Sequence, residues 1–323
     1  MIPYHISFNT IEGEVFWVDI GLSKFDKPFF DHVIEDHISI LEAGHNTLTT
    51  SAETLLNSAL LLPAVTPSGF VFHVSRCGST LLSNALQQIK GATVISEAGI
   101  LNTLFQSYLL SNSLADTQFP KDKVKQFIQS VITLLGHSQS ECDRLFIKFS
   151  SWNILFLPLI REIWPDVPIA FAFRDPFQVV ESLIRAKPGW SNLFLNPELV
   201  SAMLRINKKE VATWAYIDFI VNILSGIYNA GQALEHNALF IHYSEDKVQH
   251  IKQLFDHFNV SAEENEWAAI RSGCNIYSKD PNRSSHYLQN VMVNGFVLNE
   301  RVMSLIKTKL WEDYMKLKSF VSV

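Results

Sequence analysis

Apolar residues follow two rhythms along this chain. Short continuous runs rich in β-branched and aromatic residues alternate with longer stretches in which apolar positions recur every three or four residues. The runs Phe70–Val74, Thr93–Ser96, Leu145–Phe149, Ile169–Phe173 and Leu239–Tyr243 predict strands. The helical rhythm predicts helices over Thr80–Lys90, Leu101–Leu110, Lys121–Leu135 and Asn153–Ile163, then from Pro176 onward and across Pro197–Glu235. Further helices are predicted over Asp246–Phe258, Ala262–Arg271 and Asn299–Lys318. Within Thr80–Lys90, the residues Leu81, Leu82, Ala85, Leu86 and Ile89 share one face, and Pro176 suits a first helical position. Strands that alternate with helices need crossover connections. The expected architecture is therefore α/β, with a mainly parallel five-stranded sheet covered by helices on both faces. The runs FVFHV and IAFAF lack any polar alternation, as befits strands buried on both sides.

Residues 1–66 read differently. They hold a strand-like Glu14–Ile20 and helical segments near Phe29–Leu41 and Glu53–Leu61, and lead through Pro67–Gly69 into the α/β pattern. The expected division is an N-terminal appendage over 1–66 and a main domain over 67–323. No internal repeat or low-complexity tract is visible.

Composition narrows the function classes. With 47% hydrophobic and 18% charged residues the 323-residue chain is globular, not disordered. Its net charge of -6, from 26 Lys and Arg against 32 Asp and Glu, argues against a nucleic-acid partner. A small anionic ligand is still allowed, because a few cations focused in a cleft outweigh the global sign. Cys77, Cys142 and Cys274 are odd in number and far apart, with neither metal-type nor disulfide spacing, as in a reducing compartment. Met1–Gly13 is not a secretory signal. The apolar stretch Val211–Tyr228 is interrupted by Asp218 and Asn222, so it reads as a core helix and no membrane span is expected. A soluble, cytoplasmic protein is anticipated.

Two segments carry chemistry. In the first, the buried strand ending at Val74 runs through Ser75-Arg-Cys-Gly-Ser-Thr80 into a helix. Such a turn directs backbone N–H groups and the positive helix end at one spot, which suits a phosphate. Gly78 admits close backbone approach, Ser79 and Thr80 add hydroxyl donors, and Arg76 adds a fixed charge. An ordinary βα turn with an exposed arginine is the alternative. GxxxxGK[ST] is absent, so this is not a nucleotide triphosphatase loop. In the second segment, strand Ile169–Phe173 ends at Arg174, followed by Asp175-Pro176, the apolar pair Val179-Val180, and Ser182 eight residues after the arginine. Ser182 falls about two helical turns on, on the face Arg174 approaches, so both can hold one dianionic phosphate. An arginine paired with a local carboxylate is the alternative here.

Taken together, the segments resemble the two nucleotide-binding motifs of sulfotransferases that use 3′-phosphoadenosine 5′-phosphosulfate (PAPS). Arg76, Cys77, Gly78, Ser79 and Thr80 match the 5′-phosphosulfate loop, and Arg174 with Ser182 matches the 3′-phosphate motif about 100 residues later. Arginine at position 76 is the choice of tyrosylprotein sulfotransferases and many bacterial members, where cytosolic members carry lysine. The resemblance covers roughly residues 70–280 and implies a P-loop-like three-layer fold.

The resemblance also suggests catalytic roles. Cytosolic members place a His two residues after a Lys at the end of the third strand; here Lys148 is followed by Ser150. Tyrosylprotein sulfotransferases use a Glu after the second strand, and Glu97 lies at the matching spacing, 21 residues after Arg76. Glu97 is thus the candidate base, and Lys148 the cation beside the sulfonate. Arg271-Ser-Gly273 resembles the stretch that closes on the 3′-phosphate, and Lys279 lies in the polar segment Cys274–Asn290, a candidate lid. Phe149 and Trp152 are placed to flank the adenine or the acceptor, with packing in the core the favoured fate of each. His73 and His242 fall inside strands and read as satisfied core histidines. Cys77, at a helix N-terminus, is a candidate for a lowered thiol pKa, although no partner His marks it as a nucleophile. No metal-binding pattern appears, so PAPS would be the co-substrate and no metal would be needed.

The expected function is transfer of the PAPS sulfonate to a hydroxyl, phenol or amine of an unidentified small-molecule or peptide acceptor, releasing adenosine 3′,5′-bisphosphate. The competing readings are an ATP-dependent phosphotransferase and a non-catalytic nucleotide-binding module.

Overall fold

Residues 1–8, 13–39, 46–110, 120–139, 142–234, 238–244, 246–276, 279 and 298–321 are described by a computed structural model of the chain. In chain order it forms β1 (Ile2–Ser7), β2 (Glu14–Val18), α1 (Phe30–Ser39), β3 (Thr47–Ser51), α2 (Ala52–Leu60), β4 (Gly69–His73), α3 (Ser79–Leu86), β5 (Ala92–Ser96), α4 (Gly99–Leu110) and α5 (Lys121–His137). Next come β6 (Arg144–Lys148), a 3₁₀ turn (Ser151–Phe156), α6 (Leu157–Ile163), β7 (Ile169–Phe173), α7 (Pro176–Arg185) and a second 3₁₀ turn (Gly189–Leu195). The chain continues through α8 (Pro197–Leu204), α9 (Lys208–Val211), α10 (Tyr216–Gln232), β8 (Ala238–His242), α11 (Lys247–His257), α12 (Glu264–Gly273), α13 (Glu300–Lys309) and α14 (Trp311–Ser319).

The five apolar runs all become strands of one parallel sheet, ordered β5-β6-β4-β7-β8. Strand β4 lies at its centre: the chain goes outward to β5 and back to β6 on one side, then to β7 and β8 on the other. The carboxyl end of β4 is therefore the switch point, where open α/β sheets bind ligands. Both faces are covered. Phe258 at the end of α11 stacks on Phe146 of β6 with centroids 5.5 Å apart, whereas Phe171 of β7 points the other way, onto α10. A Cβ at Gly231 of α10 would come within 2.6 Å of the Phe171 ring, so this close helix-to-sheet contact requires glycine.

Helices depart from the sequence reading where local chemistry stops them. Pro197–Glu235 is not continuous, because Arg205 adopts a left-handed φ of 56° and Asn207 caps a new helix through Lys209 N. Asn153–Ile163 is split into the 3₁₀ turn and α6, and Asn299–Lys318 breaks at Leu310.

The first residues form an antiparallel meander, β1-β2-β3, with α1 and α2. It is fastened to the α/β unit: Phe8 packs on Phe127 of α5 at 5.8 Å, and Gln87 donates to the carbonyls of Phe25 and Lys27. One continuous apolar core runs from Ile2 and Val15 through the large sheet. Among the described residues no helix is long and apolar enough to cross a membrane.

Candidate active site

The loop after β4 is held in an unusual backbone shape. Val74 N donates to Ala172 O at 3.0 Å, extending the β4–β7 ladder by one residue. Arg76 then takes φ 61° and Gly78 φ 81°, turning the chain into α3. The left-handed region costs a residue with a Cβ roughly 1–2 kcal/mol, and tertiary contacts hold Arg76 there. Arg174 Nη1 donates to its carbonyl at 3.1 Å, and its own Nη2 donates to Ala186 O at 2.8 Å. Behind the loop, Trp190 Nε1 donates to Ser75 Oγ, which also bonds Ser151 Oγ. Gly78 caps α3 without a side chain, and Ser79 and Thr80 are buried in the first turn. A Cβ at Gly78 would stand 3.0 Å from the Tyr243 ring. The turn therefore offers N–H groups and hydroxyls to an incoming anion.

Cys77 corrects the sequence reading. It is buried, its thiol donates to Ala172 O, and burial pushes the thiol up to about 11, outweighing the helix terminus. It packs the loop against β7.

Because β7 pairs with β4, the second motif lies beside the first. Asp175 caps α7 through Phe177 N and Gln178 N, with Pro176 at the first helical position. Arg174 turns back over the loop, its guanidinium 4.4 Å from the Tyr243 ring centre and its Nε donating to Gln178 Oε1 at 2.7 Å. Tyr228 of α10 donates to Arg174 O at 2.6 Å, fixing the strand end. Ser182 lines the same cleft of about 1470 Å³ as Arg76, Gly78 and Arg174.

One strand to the other side of β4, β6 ends at Lys148, and its register partner Ser96 ends β5. Glu97, at φ 53°, turns from β5 over the sheet edge and its N–H donates to Lys148 O at 2.7 Å. The side chains meet in a direct ion pair between Lys148 Nζ and Glu97 Oε1. Lys148 is wholly buried, with Nζ also 5.1 Å from the Phe29 ring centre, while Glu97 keeps a 24% exposed side chain at the cleft. Burial alone would raise the Glu97 pKa; the adjacent Lys148 ammonium outweighs it and holds the carboxyl well below its usual range. His73, on the same strand face as Lys148 because Val71 pairs with Lys148, brings Nε2 to 3.4 Å from Glu97 Oε1.

The remaining candidates separate. Lys279 lines the cleft, its pKa lowered to about 8 by burial and by the cations Arg76 and Lys148. Arg271 does not reach the cleft: it is exposed on α12 and ion-paired to Glu264, and Gly273 ends that helix outside the lining. Of the segment Cys274–Asn290, residues 277–278 and 280–290 lie outside the described residues. Ser150, at the position of the expected His, caps the 3₁₀ turn and accepts from Asn102 Nδ2 at 3.1 Å. Phe149 stacks on Phe72 at 4.7 Å in the core; Trp152, buried and edge-on against Phe156, also lines the cleft. Among the described residues no group of His, Cys, Asp or Glu is arranged to hold a metal ion.

Sequence reasoning missed three groups. His73 sits in an apolar strand and gave no signal beyond a buried imidazole. Tyr243, at the carboxyl end of β8, had only its strand-end position to mark it. Phe29, Asp31 and His32 bring the N-terminal unit into the cleft wall, where Asp31 Oδ1 accepts from Gly99 N at 3.1 Å.

No family model and no curated protein matches the chain. The chain is similar to solved sulfotransferases. Mouse sulfotransferase SULT7A1, crystallised with PAP, aligns over 84% of this chain and 96% of its own at 16% identity and a TM-score of 0.42. Sulfotransferase STF9 from Mycobacterium avium aligns over 80% of each chain at 12% identity, TM-score 0.47. A sulfotransferase from Alicyclobacillus acidocaldarius aligns over 80% of this chain and 96% of its own at 12% identity, TM-score 0.44.

Proposed function

We propose that this chain is a PAPS-dependent sulfotransferase. The observation that carries the reading is convergence: the Arg76–Thr80 turn, the Arg174–Ser182 segment and the Glu97–Lys148 pair line or adjoin one cleft at the switch point of the sheet. Two separate cationic groups on neighbouring strands suit a nucleotide with phosphates at both its 5′ and 3′ positions. The uncapped start of α3, with Arg76 beside it, fits the 5′-phosphosulfate; Arg174 and Ser182 fit the 3′-phosphate. Tyr243, beneath the Arg174 guanidinium, keeps that cation aimed into the cleft.

PAPS supplies an activated sulfonate, and the chain supplies position and charge. Lys148 is paired with Glu97. With nucleotide present, Lys148 turns toward the oxygen that bridges sulfur and phosphorus and stabilises the charge left there. Glu97, released from that pair, becomes a stronger base and takes the acceptor's proton. The acceptor is a hydroxyl, phenol or amine, and its side of the cleft is walled by Phe29, Asp31 and Trp190. Residues 1–66 are thereby proposed as an appendage that shapes the acceptor site of the domain over 67–323. The three unpaired cysteines support a cytoplasmic setting.

The test is release of adenosine 3′,5′-bisphosphate from PAPS in the presence of a panel of phenols, alcohols and amines. At least one acceptor should raise release above the water rate, and Glu97→Gln should lower that rate by about 10²–10⁴. Acceptor-dependent release unaffected by Glu97→Gln would contradict the assignment of the base.

A further inference from the structure

We propose that His73 and Glu97 act as a two-residue proton acceptor, with the acceptor's proton coming to rest between Glu97 Oε1 and His73 Nε2. The proposal rests on the sulfotransfer reading above and adds a residue to it. His73 Nδ1 lies 3.1 Å from Val74 O. A carbonyl oxygen only accepts, so Nδ1 carries the hydrogen, and in a neutral imidazole Nε2 is then a bare lone pair. That nitrogen is buried and has no hydrogen-bond partner, yet it stands 3.4 Å from Glu97 Oε1. At 3.4 Å the two acceptor atoms lie beyond the usual N–H···O range, and one added proton would draw them together into a charge-assisted hydrogen bond.

The surroundings keep that position empty before the reaction and fill it during the reaction. Burial and then the Lys148 charge lower the pKa of His73, and Lys148 occupies Glu97 Oε1. Among the described residues, the charges of Asp31 of α1 and Lys279 also act on Glu97. When Lys148 turns to the leaving oxygen, its opposition to protonation falls for both members of the pair. The step balances within the site. The acceptor's X–H bond breaks and its electron pair forms the bond to sulfur, while the bond from sulfur to the phosphate oxygen breaks with its electrons on the bisphosphate. The proton joins the Glu97–His73 pair, taking its charge from negative to neutral, and later passes to water.

The test is ring-nitrogen NMR of the full chain labelled with [¹⁵N]histidine, with the His73 signal identified by its loss in His73→Gln. His73 is expected to be neutral with hydrogen on Nδ1 at neutral pH. Its titration midpoint should rise by about one pH unit or more in Lys148→Met, where the opposing charge is gone, and should fall in Glu97→Gln. Hydrogen on Nε2 in the parent, or a midpoint unmoved by Glu97→Gln, overturns the proposal even if Lys148→Met fails to fold. Calorimetry with adenosine 3′,5′-bisphosphate on the same samples reports on the parent reading. Absence of binding by the parent would overturn sulfotransfer, while the His73 spectra would still decide whether the pair can take a proton.

Discussion

Substituting either member of the Glu97–Lys148 pair should cost stability unequally, because the two side chains meet water differently. Lys148 has no exposed side-chain surface, whereas Glu97 is 24% exposed. Glu97→Gln leaves an ammonium that cannot reach solvent, and losing one partner of a buried pair typically costs about 3–5 kcal/mol. The amide oxygen introduced there still accepts a hydrogen bond, so the lower end, about 3 kcal/mol, is expected. At roughly 2.1 cal/mol/K of unfolding entropy per residue, that is a fall in Tm of about 4–5 °C. Lys148→Met keeps the length and apolar stem, and the carboxylate left behind retains its wet edge, so about 1–2 kcal/mol is expected. Combining Glu97→Gln with Lys148→Met should restore stability to within about 1 kcal/mol of the parent, since no charge is then stranded. The pH dependence has a definite sign. The folded-state pKa of Glu97 is depressed below its ordinary 4.5, because Lys148 outweighs burial, so its stabilisation is complete above that value and is lost as pH falls below it. Scanning calorimetry across pH should show the parent and Glu97→Gln well separated at neutral pH and converging in acid. A larger loss in Lys148→Met than in Glu97→Gln, or a double variant as unstable as the worse single one, would refute this account.

Gly78→Val should fold with a Tm a few degrees lower and lose nucleotide binding, because φ 81° and the Tyr243 ring at 3.0 Å leave no room for a side chain; normal binding by the folded variant would make the turn a plain connection. Cys77, with its thiol pushed up to about 11, should resist iodoacetamide at mildly alkaline pH while the less buried Cys142 reacts, and mass-spectrometric mapping would show the order. Ser150→Ala should lower stability by about 0.5–1.5 kcal/mol through loss of the hydrogen bond its hydroxyl accepts from Asn102 Nδ2, without a matching change in nucleotide affinity.

The strands that build the site were legible because burial on both faces leaves an unmistakable apolar run, and Ile169–Phe173 falls at its expected limits. The eight-residue spacing placed Arg174 before α7 and Ser182 on it, and both line the one cleft. The small meander was only partly so. β2 was foreseen, but β1 contains Pro3 and His5, and β3 is the polar, largely exposed Thr47–Ser51, which lacks an apolar signal. The Glu97–Lys148–His73 cluster was also hidden as a cluster. Its members lie on three strands whose adjacency depends on the order β5-β6-β4, which sequence alone did not supply. Arg271 matched a motif through Arg271-Ser-Gly273 alone, and a local match carries no information on side-chain direction: the fold pairs it with Glu264.

The central claim, that two separate cationic groups on adjacent strands hold the two ends of one bisphosphate nucleotide, is tested most directly by titration calorimetry of adenosine 3′,5′-bisphosphate against 5′-AMP, in the parent and in Arg174→Ala. Charged hydrogen bonds contribute about 1.5–3 kcal/mol each, so the bisphosphate should bind at least about tenfold more tightly than 5′-AMP in the parent. Arg174→Ala should remove most of that preference, and 5′-AMP affinity, lowered only through the lost bond from Arg174 Nη1 to Arg76 O, should fall less than that of the bisphosphate. Equal affinities of the parent for the two nucleotides, or an undiminished preference in Arg174→Ala, would contradict it.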